Sequence, residues 1–129
     1  MPAKIPAEGR RLLDGKNFAC LATLMKDGSP QVTPVWIARE GDIVVINTAV
    51  GRTKERNVAR DPRVAVAVLD VEDPYRKLLI RGRVVATVTQ GAREHIDMLS
   101  KKYTGHRFNS QAPDERRIVL KIEPASVSL

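Results

Sequence analysis

The segment "DIVVINTAVGRTKERNVARDPRVAVAV", residues 42–68, changes its residue pattern twice and thereby predicts three consecutive elements. The run of mostly β-branched residues at 43–48 predicts a buried strand. The residues that follow predict a helix from about Arg52 to Arg60, because Pro62 excludes a longer one. Alternating alanine and valine within 63–70 then predicts the next strand. The chain is expected to run here from strand to helix and back to strand.

The predicted helix and its flanks are strongly basic, and only Glu55 and Asp61 oppose the positive charge. The first turn of a helix presents unbonded backbone N–H groups and partial positive charge, which favour a phosphate. The residues alone allow two interpretations: a phosphate site assisted by Thr48 and Asn57, or a solvated basic face with Val58 packed inward. The basic residues of this stretch are Arg52, Lys54, Arg56, Arg60 and Arg63.

Working outward from this segment, strand and turn patterns occupy most of the chain. Residues 18–25 and 31–38 predict two strands joined by a turn at Gly28. Pro34 places the second strand at an edge or a bulge, because proline donates no ladder hydrogen bond. We therefore predict a mainly β protein, a closed antiparallel barrel of five or six strands with peripheral helices. The remaining predicted elements are helices at 6–15 and 91–103 and strands at 77–90, bent at Gly82, and at 116–129.

The length and composition favour one small globular domain. The chain has 129 residues, of which 43% are hydrophobic, which suits a single domain over residues 1–129. No apolar run is long enough for a membrane span, and the N-terminus lacks the apolar core of a signal peptide. A cytoplasmic protein without a membrane partner is expected. The single cysteine, Cys20, lies among apolar residues and is predicted to be a buried structural thiol.

The net charge of +7 predicts an anionic partner. Aromatic residues make up only 4% of the chain and are widely separated, whereas single-strand nucleic-acid binders interleave basic residues with stacking aromatics. No helical recognition motif or zinc-finger spacing is present either. A nucleic-acid partner is therefore not expected, and a phosphorylated small molecule fits the charge better.

Candidate catalytic residues are few. His95 stands next to acidic residues on its predicted helix and is expected to face solvent, and His106 lies in a loop. No cluster of histidine, cysteine and carboxylate has metal-ligand spacing, so no metal site is predicted. No side chain is assigned as catalytic. If the protein is an enzyme, its chemistry is expected to come from a bound cofactor.

Two stretches carry a resemblance to a known family: "DGSPQVTPVW" at 27–36 and "GRTKERNVARDPRV" at 51–64. With the strand patterns around them, they resemble the pyridoxamine 5′-phosphate oxidase-like superfamily of split β-barrel, FMN-binding-like flavoproteins. The similarity extends from about Leu12 to Val127. Within the superfamily, the chain is most similar to the branch of small enzymes that use the deazaflavin coenzyme F420.

The resemblance implies a homodimer with the cofactor at the interface. It places the cofactor phosphate at Arg52 and Lys54, with support from neighbouring polar side chains. It also places the ring system along the second and third strands, which gives Pro34 a reason, since a planar ring can cover backbone without a ladder donor. Trp36 is either part of this ring site or an ordinary core aromatic. The implied cofactor-binding residues are Thr33, Pro34, Val35, Trp36, Asn47, Thr48, Arg52, Lys54 and Asn57.

The implied function is an F420-dependent oxidoreductase that transfers a hydride between the reduced coenzyme and a small organic acceptor. FMN-using members commonly have consecutive arginine and lysine after a serine, whereas this chain has Gly51-Arg52-Thr53-Lys54. Three alternatives remain: an FMN-binding oxidase or reductase of the same fold, a non-catalytic protein that binds a flavin or deazaflavin, and a basic nucleic-acid-binding barrel. Further basic residues suit the acidic tail of the deazaflavin, namely Arg81, Arg83, Lys101, Lys102 and Arg107.

Overall fold

A computed structural model describes residues 2–109, 112 and 114–129. The described chain forms three helices and seven strands. The helices are α1 (Ala7–Asp14), α2 (Thr53–Arg60) and α3 (Ala92–Thr104). The strands are β1 (Ala19–Leu24), β2 (Pro30–Val35), β3 (Ala38–Glu40), β4 (Ile43–Ala49), β5 (Arg63–Leu69), β6 (Lys77–Val88) and β7 (Arg117–Ser128). No helix in the described ranges is both long and apolar enough to cross a membrane.

The seven strands form one antiparallel sheet in the order β2-β1-β5-β6-β7-β4-β3. The two edge strands, β2 and β3, are separated in sequence only by residues 36 and 37. A flat sheet of seven strands would place its edges about 29 Å apart. Three residue steps cover at most about 11 Å. The sheet must therefore curl until its edges meet, which confirms the predicted mainly β split barrel.

The inside of the barrel is filled by alternating residues of the strands. In β5, for example, Val64, Val66 and Val68 are buried, while the residues between them are not. Leu12 and Leu13 of α1 join the same apolar cluster. A second, smaller cluster packs α3 against the outside of β4 and β7. That packing fixes α3 beside the start of α2, where the candidate site lies.

The predicted helices and most strand boundaries are confirmed. Pro34 lies on an edge strand, as expected. Gly82 lies at an irregularity of the β6–β7 ladder, and a Cβ there would collide with the Glu123 carbonyl. The prediction of a single strand at 31–38 was wrong, because the chain leaves one sheet edge after Val35 and joins the other at Ala38.

The prediction that Cys20 is buried was also wrong. Leu21 points into the barrel, and Cys20 points outward and is exposed. Cys20 belongs to a surface on the outside of β2, β1, β5 and β6. The strand registers arrange this surface as two rows of mainly apolar or small residues. This surface is called the outer face below. One row is Pro34, Cys20, Ala67 and Leu79, and the other is Val32, Ala22, Ala65 and Arg81.

Candidate functional site

A cavity of about 350 Å³ lies beside the start of α2, where segments distant in sequence meet. β2 and the residue after it provide one wall, α2 and the start of β7 provide cations, and α3 provides apolar side chains. We call it the basic–aromatic pocket. It is lined by Phe18, Pro34, Val35, Trp36, Asn47, Arg52, Lys54, Ile96, Leu99, Phe108 and Arg117.

The structure brings together six of the nine residues that sequence reasoning had selected. They come from three separate elements, so their convergence depends on the closed barrel and not on proximity in sequence. The six are Pro34, Val35, Trp36, Asn47, Arg52 and Lys54.

The other three, Thr33, Thr48 and Asn57, do not line this pocket. Because side chains alternate along a strand, Thr33 and Thr48 point away from the strand faces that carry Pro34 and Asn47. Each of the two threonine hydroxyls is buried without a hydrogen-bond partner in the described residues. Asn57 instead fixes α2 to β1, since its Nδ2 donates to Thr23 Oγ1 at 2.9 Å. The support for a phosphate that was expected from Thr48 and Asn57 is therefore absent from the pocket of this chain.

An aromatic wall closes one side of the pocket. Trp36 stacks on Tyr103 with ring centroids 5.4 Å apart and planes 6° apart, and Phe18 packs on Tyr103 at 5.4 Å. The Tyr103 hydroxyl donates to the Asn17 carbonyl at 2.6 Å and accepts from the Ile37 N–H at 3.2 Å. Burial raises the pKa of Tyr103, which keeps this hydroxyl a proton donor. These bonds hold the wall in one orientation.

Three cations face the wall: Arg52, Lys54 and Arg117. Glu115 binds two of them, accepting from Arg52 Nη2 at 3.1 Å and from Arg117 Nη1 at 2.8 Å. The pKa of Lys54 is lowered, first by burial and then by the charges of Arg52 and Arg117. With one carboxylate against three cations, the site has an excess of positive charge, which favours an anionic group such as a phosphate. The N-cap residue of α2, Arg52, makes no side-chain capping hydrogen bond, and Glu55 Oε1 accepts from the Gly51 N–H at 2.7 Å.

Arg117 was missed by the sequence reasoning, although it is the most buried of the three cations. Its side chain is 5% exposed, and its guanidinium group lies 4.9 Å from the centre of the Phe108 ring. Its Nε donates to Asn47 Oδ1 at 2.8 Å. The signal was present in "RRIVL", because two consecutive arginines at the start of a strand must point to opposite faces.

Asn47 connects Arg117 to α3. Its Nδ2 donates to the Ala92 carbonyl at 2.9 Å and lies 3.0 Å from His95 Nδ1. Since Arg117 can only donate, Asn47 Oδ1 must face it and Nδ2 must face His95. His95 Nδ1 is then the acceptor, and the ring is neutral with its proton on Nε2. Asn47 thus orients Arg117 and fixes the start of α3.

The expectation that His95 faces solvent was wrong. The ring is half-buried, and its Nε2 is buried without a hydrogen-bond partner within the described chain. Burial lowers the pKa of His95, in agreement with the neutral ring. Among the described residues, no group of three or more histidine, cysteine or carboxylate side chains is arranged to hold a metal ion.

Four of the five additional basic residues expected to meet an acidic tail have different surroundings. Lys102 Nζ donates to the carbonyls of Leu13 and Ile37, each at 2.7 Å, so this lysine connects α3 to the rest of the fold. Arg81 lies on the outer face. Lys101 and Arg107 line a separate cavity that also contains two carboxylates.

The outer face carries two larger depressions, of about 570 and 450 Å³. They are lined mainly by alanine, valine, leucine and serine, and their only charged residues are Arg63 and Arg81. The Val32 side chain in this region is prominently exposed, at 63%. These depressions are apolar surface and offer few groups that could hold an anion.

Comparison with known proteins gives a consistent result. The family profile described as pyridoxamine 5′-phosphate oxidase matches residues 5–129. A solved structure named F420 reductase is 30% identical, with 96% of this chain and 98% of that chain aligned and a TM-score of 0.85. A conserved hypothetical protein from Mycobacterium tuberculosis is 22% identical over 98% of this chain and 84% of that one, with a TM-score of 0.74.

A more distant structure shows the same fold. HupZ from Group A Streptococcus is 18% identical over 95% of this chain and 91% of its own, with a TM-score of 0.66. The sequence matches none of the curated proteins with which it was compared.

Proposed function

Because the chain belongs to the pyridoxamine 5′-phosphate oxidase family of split-barrel flavoproteins, we propose that it is an F420-dependent oxidoreductase. The fold of this family binds flavin-type cofactors. The similarity to the protein named F420 reductase over nearly the whole of both chains supports the choice of the deazaflavin. The proposed reaction transfers a hydride between reduced coenzyme F420 and a small organic acceptor.

The observation that carries this proposal is the combination of an aromatic wall and a cationic wall in one pocket. A phosphorylated cofactor with a planar ring needs both, and the pocket residues fit such a group. Arg52 and Lys54 would hold the phosphate at the start of α2. Pro34, Val35 and Trp36 would lie along the ring. The assignment of these residues to the cofactor is part of the proposal.

When bound, the deazaflavin supplies the hydride chemistry, and the residues of the chain bind, orient and exclude water. Ile96 and Leu99 of α3 make the inner part of the pocket apolar. Tyr103 holds Trp36 in place through stacking. No side chain of the pocket is assigned a proton-transfer role.

We further propose that the protein is a homodimer that covers the outer face. Val32, Cys20 and Leu79 expose a continuous, mostly apolar surface that a second copy would remove from water. Pro34 belongs to this surface and also lines the basic–aromatic pocket. A second copy on the outer face would therefore reach the rim of the pocket and place the cofactor at the interface.

The proposal is tested by direct competition between coenzyme F420 and FMN for the purified protein. We expect F420 to bind more tightly, and reduced F420 to be oxidised when an enone or quinone acceptor is added. Tighter binding of FMN would contradict the cofactor choice. F420 binding without turnover of any acceptor would favour a non-catalytic binding protein.

FMN remains the second candidate cofactor, because the same phosphate site would hold its phosphate. The colour of the purified protein distinguishes FMN from coenzyme F420. A protein made in a host that lacks F420 is expected to be colourless, whereas a protein that retains FMN from the host is yellow.

A further inference from the structure

We propose that Arg117 is a third phosphate-binding residue, which donates to the same anion as Arg52 and Lys54 and is positioned for this by Asn47 and Glu115. The inference rests on the proposed function in that it uses the same pocket. It adds a residue from a distant strand, and it assigns the phosphate to a three-cation site instead of to the start of α2 alone.

The guanidinium group of Arg117 is held on several sides. Asn47 Oδ1 accepts from Nε at 2.8 Å, Glu115 Oε1 accepts from Nη1 at 2.8 Å, and Phe108 covers the group at 4.9 Å. Asn47 is itself anchored by the Ala92 carbonyl at 2.9 Å. An arginine fixed in this way loses little conformational freedom when it binds a ligand.

One end of the guanidinium group is left for a ligand. Nη2 of Arg117 has no hydrogen-bond partner within the described part of the chain, although the side chain is only 5% exposed and lines the pocket. Nη2 is also not enclosed by protein, unlike the buried unpartnered atoms of Thr48 and His95. Arg117 lines both the basic–aromatic pocket and a neighbouring cavity formed with Arg93 and Arg116. Its Nη2 therefore keeps accessible N–H donors, and an anion in the basic–aromatic pocket can accept from them in place of water.

Glu115 brings Arg117 and Arg52 to the same point. Because its two oxygens accept one hydrogen bond from each arginine, the two guanidinium groups lie on either side of one carboxylate. Burial lowers the pKa of Arg117, and the same carboxylate opposes that shift. Burial lowers the pKa of Lys54, and the positive charges of Arg52 and Arg117 lower it further. A single phosphate can then contact all three cations.

The first experiment compares phosphorylated and phosphate-free ligands in fluorescence titrations. Arg117→Lys keeps the positive charge but loses the planar guanidinium group with its paired N–H donors. Arg117→Met removes both the charge and the donors. We expect Arg117→Lys to weaken binding of F420 about 10-fold and Arg117→Met up to about 100-fold. Binding of the deazaflavin that lacks the phosphate and its extension should not change. Arg39→Lys is the matched control, because Arg39 also pairs with a carboxylate, at 2.9 Å from Asp14, but lines neither the pocket nor the depressions of the outer face.

Unchanged F420 affinity in both Arg117 variants would overturn the inference while leaving the proposed function intact. An equal loss for the phosphate-free ligand would also overturn it, since it would indicate general damage to the pocket. A double-mutant cycle with Arg52→Ala adds a second criterion. If the losses of binding free energy in the two single variants do not add up to the loss in the double variant, one shared anion is supported. Additive losses contradict it.

A second experiment tests the inference without any deazaflavin. Inorganic phosphate is titrated into the protein while the NMR signal of the Arg117 Nε–H group is followed. We expect a saturable shift in the parent and its loss in the Arg52→Ala/Lys54→Ala double variant. An Arg117 signal that phosphate does not move would overturn the inference, whichever cofactor the parent protein uses.

Discussion

The basic–aromatic pocket and the outer face are two regions where a partner could bind, and they differ in size and chemistry although Pro34 belongs to both. The outer face has the larger depressions, about 570 and 450 Å³ against about 350 Å³. Its walls are mainly apolar or small residues, with Arg63 and Arg81 as the charged exceptions. The pocket is smaller, but its cations and aromatic rings are held in place by hydrogen bonds before any ligand arrives.

This difference separates two kinds of binding. Apolar surface without oriented polar groups favours another protein surface, because burial alone stabilises the contact. Fixed cations beside an aromatic wall favour one particular ligand, because the polar contacts set its orientation. Cavity volume alone would have selected a region that lacks the oriented cations of the proposed cofactor site.

The largest expected effect concerns the outer face. Val32→Asp would place an unpaired charge in the proposed dimer interface, and we expect the dimer dissociation constant to rise at least about 100-fold. Val71→Asp is the matched control, because Val71 is 66% exposed against 63% for Val32 but lies outside the outer face. Sedimentation velocity measures the dimer dissociation constant of each variant. A parent protein that is monomeric at micromolar concentration would remove the dimer from the account.

The next effect concerns the pocket. Lys54→Ala removes one charge-assisted contact to the phosphate, so F420 affinity should fall about 10- to 100-fold. The Tm of the free protein should hardly change, because half-burial among positive charges does not favour the charged lysine. Lys101→Ala is the control, since Lys101 is exposed and lies outside the pocket. Equal affinities of the two variants would indicate that the start of α2 is only a solvated basic surface.

The pH dependence of binding sharpens the same assignment. The pKa of Lys54 is lowered in the free protein, and a bound phosphate would raise it by stabilising the charged form. F420 affinity should therefore be greatest below the free-state pKa and decline as the pH rises above it. Lys54→Arg should abolish this decline, because arginine stays charged throughout. An identical alkaline decline in that variant would assign the titration to another group.

The same two regions show what could be read from the sequence. The alternating strands, the helix after β4 and the bulge at Gly82 follow from local patterns, and these were predicted correctly. Cys20 was misplaced because the outer face is as apolar as the core, and composition does not distinguish a core from an exposed apolar surface. The distinction depends on which strands become neighbours.

The pocket was predicted only in part, because some of its residues are close in sequence and others are brought in by the fold. Arg52 and Lys54 lie within one short segment, so their local pattern revealed them. Arg117 and Phe108 reach the pocket only through tertiary contacts, and the consecutive arginines of "RRIVL" indicate two opposite faces but not which arginine enters the pocket. His95 was placed in solvent because its sequence neighbours are acidic, whereas its actual contact is Asn47, 48 residues away.

The smallest expected effect concerns His95, which supports the pocket through Asn47. The folded-state pKa of His95 is lowered from 6.5, so the unfolded chain binds the proton more readily. Stability should therefore fall as the pH drops from about 6.5 towards the lowered value, and the loss is complete below it. His95→Gln should show a weaker acid dependence in urea unfolding. Parallel pH profiles for parent and variant would remove His95 from this role.

The most direct test of the central claim is a crystal structure of the protein with coenzyme F420. The account predicts the phosphate within hydrogen-bond distance of Arg52, Lys54 and Arg117, and the ring along Pro34 to Trp36. A second copy should cover the outer face of the first. A cofactor bound in the depressions of the outer face, or a phosphate that contacts none of the three cations, would contradict it.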